Sequence, residues 1–102
     1  MLYKKEKMEE WLRQSAAEFL KKESWPQSLI TVTGVNFDKA KNRASISVSI
    51  FPKEKGTETL AFIVGRKKDF IDYLKNHSRM RILPFVTFAA ETLKIDGEIL
   101  NQ

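Results

Sequence analysis

The segment 43–51, RASISVSIF, constrains the fold more than any other part of this 102-residue chain. Apolar residues occupy every second position, and three serines stand between them. Because successive side chains of a strand point to opposite faces, this period of two predicts a β-strand with one buried face and one polar face. The residues predicted to point inward are Ala44, Ile46, Val48 and Ile50.

The flanking segments predict further elements. Between Met8 and Leu20 the apolar residues recur three and four positions apart, which predicts an amphipathic helix that Pro26 is expected to end. Residues 29–37, LITVTGVNF, are rich in β-branched side chains and predict a first strand with a bulge or close approach at Gly34. This strand and 43–51 are separated by the turn sequence DKAKN.

Residues 57–76 predict a second helix that is bent or broken. Thr57 is the expected N-cap, and the helix is expected to run to Asn76. Its apolar stripe is interrupted by GRKKD, residues 65–69, with Lys67 where the stripe should continue. We therefore predict a break between Val64 and Phe70.

A last strand is predicted at 80–90, with Pro84 at an edge, a bulge or the first paired position because it lacks an N–H donor. Its common face is predicted to carry Met80, Ile82, Val86 and Phe88. The order of helix, strand, strand, broken helix and strand indicates an α+β domain with one three-stranded sheet. We expect this domain to span residues 1–91 and residues 92–102 to form a loose tail.

The composition argues against several kinds of function. The chain has no cysteine, and its one histidine, His77, has no neighbouring carboxylate placed to orient it as a base. Neither a phosphate-binding P-loop motif nor a dinucleotide-binding motif occurs. We therefore expect a non-enzyme with no metal and no cofactor. The absence of cysteine suits a reducing cytoplasm, and no stretch of 18 apolar residues occurs, so we expect a soluble, cytoplasmic protein without a membrane association.

Positive charge is concentrated in one part of the chain. The net charge is +5, and residues 66–81 hold six cations against two anions, a surplus of +4. Such a surplus favours an anionic partner, and a helix that begins after the break would add backbone N–H donors for phosphate. The candidate residues of this segment for binding nucleic acid are Arg66, Lys67, Lys68, Lys75, Arg79 and Arg81. A second cluster, for which a merely solvated turn is the favoured interpretation, is Lys39, Lys41 and Arg43.

Several of these segments together resemble bacterial ribosome-binding factor A. The resemblance covers about residues 8–91 and rests on TVTGV at 31–35, the alternating strand at 44–51 and FIDYL at 70–74. It is most specific in the last strand, where the family pattern R-x-R-x-x-P-x-x-x-F is matched by Arg79, Arg81, Pro84 and Phe88. The Ala-x-Gly of that family's helix-kink-helix is replaced here by Lys67-Lys68-Asp69, and Gly65 is a candidate for keeping the kink.

The resemblance implies a type II KH-like fold and a noncatalytic role in late assembly of the small ribosomal subunit. It implies binding to the immature particle and its 16S rRNA, a role in rRNA processing and cold adaptation, and a monomeric protein. Two alternatives stay open. One is a generic KH-like module for single-stranded RNA, although the G-x-x-G loop of such modules is missing. The other is a protein-interaction domain that recruits a partner through an exposed strand edge.

The double substitution Arg79→Gln/Arg81→Gln tests the predicted RNA role of the two arginines. It removes two positive charges, so fewer counterions should be released when the protein binds small subunits. The slope of log affinity against log salt should become shallower by roughly 1–2 units. Thermal stability should change by less than about 0.5 kcal/mol. An unchanged salt slope in a folded variant would contradict this role.

Overall fold

The computed structural model describes residues 5–22, 28–78, 80 and 82–91. Helix α1 spans Lys5–Lys22 and is followed by strands β1 (Leu29–Asp38) and β2 (Arg43–Phe51). A short 3-10 helix, Lys53–Lys55, leads into α2 (Gly56–Gly65) and α3 (Lys67–Asn76). Strand β3 (Phe85–Ala90) completes the described elements. The predicted α+β class and the predicted order of elements are confirmed.

The sheet has the spatial order β1-β2-β3, so β2 is the central strand. It pairs antiparallel with β1 and parallel with β3. Ile46 of β2 lies opposite Val35 on one side and Phe88 on the other. The register with β1 shifts between Val32 and Gly34, which confirms the bulge predicted there. A central strand with partners on both sides leaves none of its own backbone groups at a sheet edge.

The inward residues of β2 form the middle of the hydrophobic core. Ala44 and Ile50 are 2% exposed, and Ile46 and Val48 are fully buried, as their phase in the alternation predicts. Phe70 of α3 belongs to the same core and contacts one aromatic ring of α1 and one of β3. Its ring centroid is 5.3 Å from that of Phe19 and 5.6 Å from that of Phe88. The core residues of α1 match the predicted stripe and are Met8, Leu12, Ala16, Phe19 and Leu20.

The Glu9 carboxylate links the start of α1 to the end of β1. Glu9 Oε2 accepts a hydrogen bond of 2.8 Å from the backbone N–H of Phe37 and also pairs with the Lys5 ammonium. Two hydrogen bonds lower the pKa of Glu9 below its ordinary value, because both favour the ionised carboxylate. The bond from Lys5 has the larger effect and the bond from Phe37 the next largest. The contact thus joins the first turns of α1 to the end of β1.

Two predicted boundaries are wrong. Helix α2 begins at Gly56, one residue before the predicted cap Thr57, because a 3-10 turn over 53–55 leads directly into it. The last strand begins at Phe85, five residues later than predicted, and Ile82 is 75% exposed. Phe85 pairs with Arg43, the first residue of β2, so the described residues 82–84 precede the point where pairing with β2 begins. Val86 and Phe88 do share the inward face.

Some predictions lie outside the described residues. These are the helix stop at Pro26, the placement of Arg79 and Arg81, and the tail at 92–102. Within the described residues, no helix combines the length and the apolar character needed to cross a membrane.

Truncation of one buried and one exposed valine tests the core. Val48→Ala removes two methyl groups from a fully buried site and should lower the free energy of unfolding by about 1–4 kcal/mol. Val64→Ala removes the same groups from a residue of α2 that is 50% exposed and should change it by at most about 0.5 kcal/mol. Denaturant titration measures both, and equal effects would refute the assignment of faces on β2.

Candidate nucleic-acid interface

The predicted break in the second helix is present at Arg66. Its backbone angles, φ −98° and ψ 10°, lie outside the α-helical region, and it separates α2 from α3. The N–H of Arg66 bonds to the carbonyl of Ile63, and the carbonyl of Arg66 accepts the N–H of Phe70, both at 3.0 Å. The chain therefore ends one helix and starts the next at a single residue.

The break does not depend on a glycine. Gly65 has no positive φ, and a Cβ atom added to it would meet nothing within 4 Å. At the break itself, Arg66 Nη2 lies 3.2 Å from Asp69 Oδ2. Asp69 thus offsets the charge of Arg66, and the unbalanced positive charge at the start of α3 comes from Lys67 and Lys68.

One side of α3 carries cations away from the core. Lys67, Ile71 and Lys75 follow one another at intervals of four residues, so they form a row along the helix. Lys68 is seven residues before Lys75 and lies on the same flank. Lys67 is half-buried, whereas Lys68 and Lys75 are exposed. The row and Lys68 together present three ammonium groups on this flank of α3.

The second basic cluster lies in the turn between β1 and β2, and Asn42 attaches that turn to the start of β3. Asn42 has a positive φ of 52°, which its short polar side chain tolerates. Its carbonyl accepts the N–H of Phe85 at 2.9 Å, and its side-chain Nδ2 donates to the carbonyl of Leu83 at 3.4 Å. Lys41 and Arg43, the neighbours of Asn42, are thereby held next to Phe85.

These contacts bring Lys41 of the turn and Lys67 and Lys75 of α3 into one depression, which we call the basic groove. Its lining residues, all from the described part of the chain, include three lysines and no carboxylate. They are Lys41, Asn42, Lys67, Ile71, Lys75, Leu83, Pro84, Phe85 and Val86. The groove therefore joins the turn cluster to α3, although about 25 residues separate Lys41 from Lys67 in the chain.

Phe85 stands among these cations and was not among the predicted site residues. It is 57% exposed, the Lys67 ammonium lies 4.2 Å from its ring centroid, and the Arg43 guanidinium carbon lies 5.9 Å from it. Both are within the distance of a cation–π contact. The sequence carried one signal for Phe85, since it alternates with the inward residue Val86 and so falls on the outward face.

The remaining candidate residues are placed as follows. Lys39 is exposed in the turn, where its carbonyl accepts the N–H of Asn42, and it does not line the groove. His77 stacks on Tyr73 with ring centroids 4.1 Å apart and bonds to the Tyr73 carbonyl through Nδ1. Among the described residues, no group of His, Cys, Asp or Glu is arranged to hold a metal ion.

Comparison with known proteins gives structural matches. No family model and no curated protein sequence matches the chain. The crystal structure of ribosome-binding factor A from Thermus thermophilus is 28% identical, with a TM-score of 0.72 over 86% of this chain and 97% of that one. A homology model of the same factor, fitted into a cryo-EM map of a 30S–RbfA complex, is 27% identical, with a TM-score of 0.70 over 81% and 90%.

A third structure, a solution NMR structure of a candidate ribosome-binding factor A from Thermotoga maritima, is 24% identical and supports the fold alone. Its TM-score is 0.71, over 85% of this chain and 86% of that one. The three matches and the element order define the class as a KH-like α+β protein. Within that class, the chain is similar to ribosome-binding factor A, and it is an RbfA-like protein.

Substitution of Asn42 tests how the turn is held. Asn42→Ala removes the side-chain hydrogen bond. It also places alanine, which has a Cβ atom but no polar side chain to bond to the local backbone, in a left-handed conformation, and this costs about 1–2 kcal/mol. Asn42→Gly loses the same hydrogen bond but adopts positive φ freely. Alanine should therefore destabilise the protein by about 1 kcal/mol more than glycine in thermal unfolding. Equal losses would show that backbone strain at Asn42 is not a determinant of stability.

Proposed function

We propose that this protein is a noncatalytic, cytoplasmic assembly factor that binds the immature small ribosomal subunit and its 16S rRNA during late maturation. The basic groove is its RNA contact surface. The proposal is supported by the similarity to ribosome-binding factor A from Thermus thermophilus, a homology model of which was fitted into a cryo-EM map of a 30S–RbfA complex.

The observation that carries the proposal is the meeting of two basic segments around one exposed aromatic ring. Lys41 comes from the turn, Arg43 from the start of β2, and Lys67 and Lys75 from α3. The three lysines line the same groove, and Arg43 contacts its Phe85 ring. A solvated charged face does not require such convergence, since each segment would be equally soluble alone. Three lysines within one depression, with Arg43 beside its Phe85 ring, suit a polyanion, whose phosphates follow one another at short intervals.

The position of Lys67 and Lys68 adds a second argument. They are the first two residues of α3, where the helix dipole and the unpaired backbone N–H groups are already positive. Cations there lower helix stability by a few tenths of a kcal/mol each, and acidic residues would be favoured on stability alone. Such a local conflict is typical of a functional site, and a phosphate at this helix end would be stabilised by both the lysines and the amides.

Removal of three groove charges tests the proposal. The variant Lys41→Gln/Lys67→Gln/Lys75→Gln should bind small subunits more weakly in co-sedimentation at moderate salt. The slope of its log affinity against log salt should be shallower than that of the wild type by roughly 2–3 units, since about one counterion is released per neutralised phosphate. The matched control, Lys7→Gln/Lys21→Gln/Lys53→Gln, removes the same charge from exposed residues outside the groove and should change the slope less.

Equal loss in the control variant would mean that only net charge matters and would reject the groove as the contact surface. The alternatives separate in the same assay. A general single-stranded RNA module would bind free RNA as well as it binds immature particles. A protein-interaction domain would keep its partner after nuclease treatment, and the exposed pair Leu29 and Phe51, which lie opposite each other on β1 and β2, would be its apolar surface.

A further inference from the structure

Phe85 is an aromatic residue whose exposed ring contributes little to the stability of the fold. As the first residue of β3, it alternates with Val86, which is fully buried, and it leaves 57% of its surface exposed. The backbone N–H of Phe85 donates to the Asn42 carbonyl, and Phe85 pairs with Arg43 in the sheet. The backbone that bears the ring is therefore fixed in position. An exposed apolar ring on a backbone that the sheet fixes in place is suited to contact with another flat group.

The two cations beside the ring differ in how firmly they are held. Arg43 is the strand partner of Phe85, whereas Lys67 reaches the ring from α3 through a flexible side chain. An exposed cation–π contact stabilises by a factor of only about two to five. Stacking of a nucleobase on an aromatic ring contributes about 5- to 100-fold in affinity. Exchange of the Lys67 ammonium for a base is therefore favourable, and it frees that ammonium for the adjoining phosphate.

We infer that the groove binds unpaired RNA, with one nucleobase stacked on Phe85 and the adjoining phosphates held by Lys41, Lys67 and Lys75. This inference rests on the proposed function and narrows its ligand to single-stranded segments. A base inside a duplex is already stacked on both faces and cannot reach the ring without being unstacked. The bases need no particular identity, because every base has an aromatic face.

The test compares three fluorescent RNA probes of equal length on the intact protein: an oligoadenosine strand, an abasic ribose-phosphate strand and a blunt duplex. Wild-type protein should bind oligoadenosine about 5- to 100-fold more tightly than the abasic strand. Phe85→Leu should bring these two affinities together while affinity for the abasic strand stays unchanged. Phe85→Tyr, which keeps an aromatic ring, should retain the preference even if the leucine variant folds poorly.

The control is Phe51→Leu. Phe51 is an aromatic residue of similar exposure at the opposite end of β2, about 26 Å from Arg43 along the strand, and it should keep the wild-type preference. The inference is overturned if the wild type shows no preference for bases over abasic sugar, if it prefers the duplex, or if Phe85→Leu weakens both single strands equally. A protein that shows the Phe85-dependent preference but does not sediment with small subunits would refute the proposed function and leave this inference standing.

Discussion

Burial of one face of β2 is the constraint on which the rest of the structure depends. Ile46 and Val48 are removed from water only because α1 and the α2–α3 pair both pack against the same side of the sheet. The strand is central, with β1 antiparallel on one side and β3 parallel on the other, so it also organises the backbone hydrogen bonds of both neighbours. A loss of packing at β2 would thus separate every element that positions the basic groove.

The break at Arg66 allows one helical segment to place apolar residues in the core while it keeps the charge of Lys67 out of the core. Ile63 and Phe70 are both in the core and are seven residues apart, which would suit an uninterrupted helix with a single apolar stripe. Lys67 lies between them, and a straight helix would direct its ammonium toward the core at a large desolvation cost. The interruption leaves Lys67 half-buried with its charge over the Phe85 ring. The core thereby stays apolar and the groove gains a cation.

The groove combines two physical interactions with different dependence on conditions. Attraction between the lysines and phosphate weakens as salt rises, because each released counterion gains less entropy when the surrounding solution is already concentrated in salt. Contact with the Phe85 ring depends on the shape of the nucleobase and is far less sensitive to salt. A surface that carries both has its affinity set mainly by charge and its preference for unpaired strands set by the ring. Asn42 keeps the two together, since it ties the turn beside Lys41 to the start of β3.

The sequence by itself determined the elements whose pattern is local. The period of two in β2, the apolar stripe of α1 and the polar interruption at residues 65–69 each follow from side chains adjacent in the chain, and each is confirmed. Only the tertiary structure decided the start of β3, because that boundary depends on where β2 begins. It also decided the parallel pairing of β2 with β3, which brings Arg43 beside Phe85. Convergence of the turn with α3 is likewise a long-range result, since no local pattern records which distant segments a sheet will bring together.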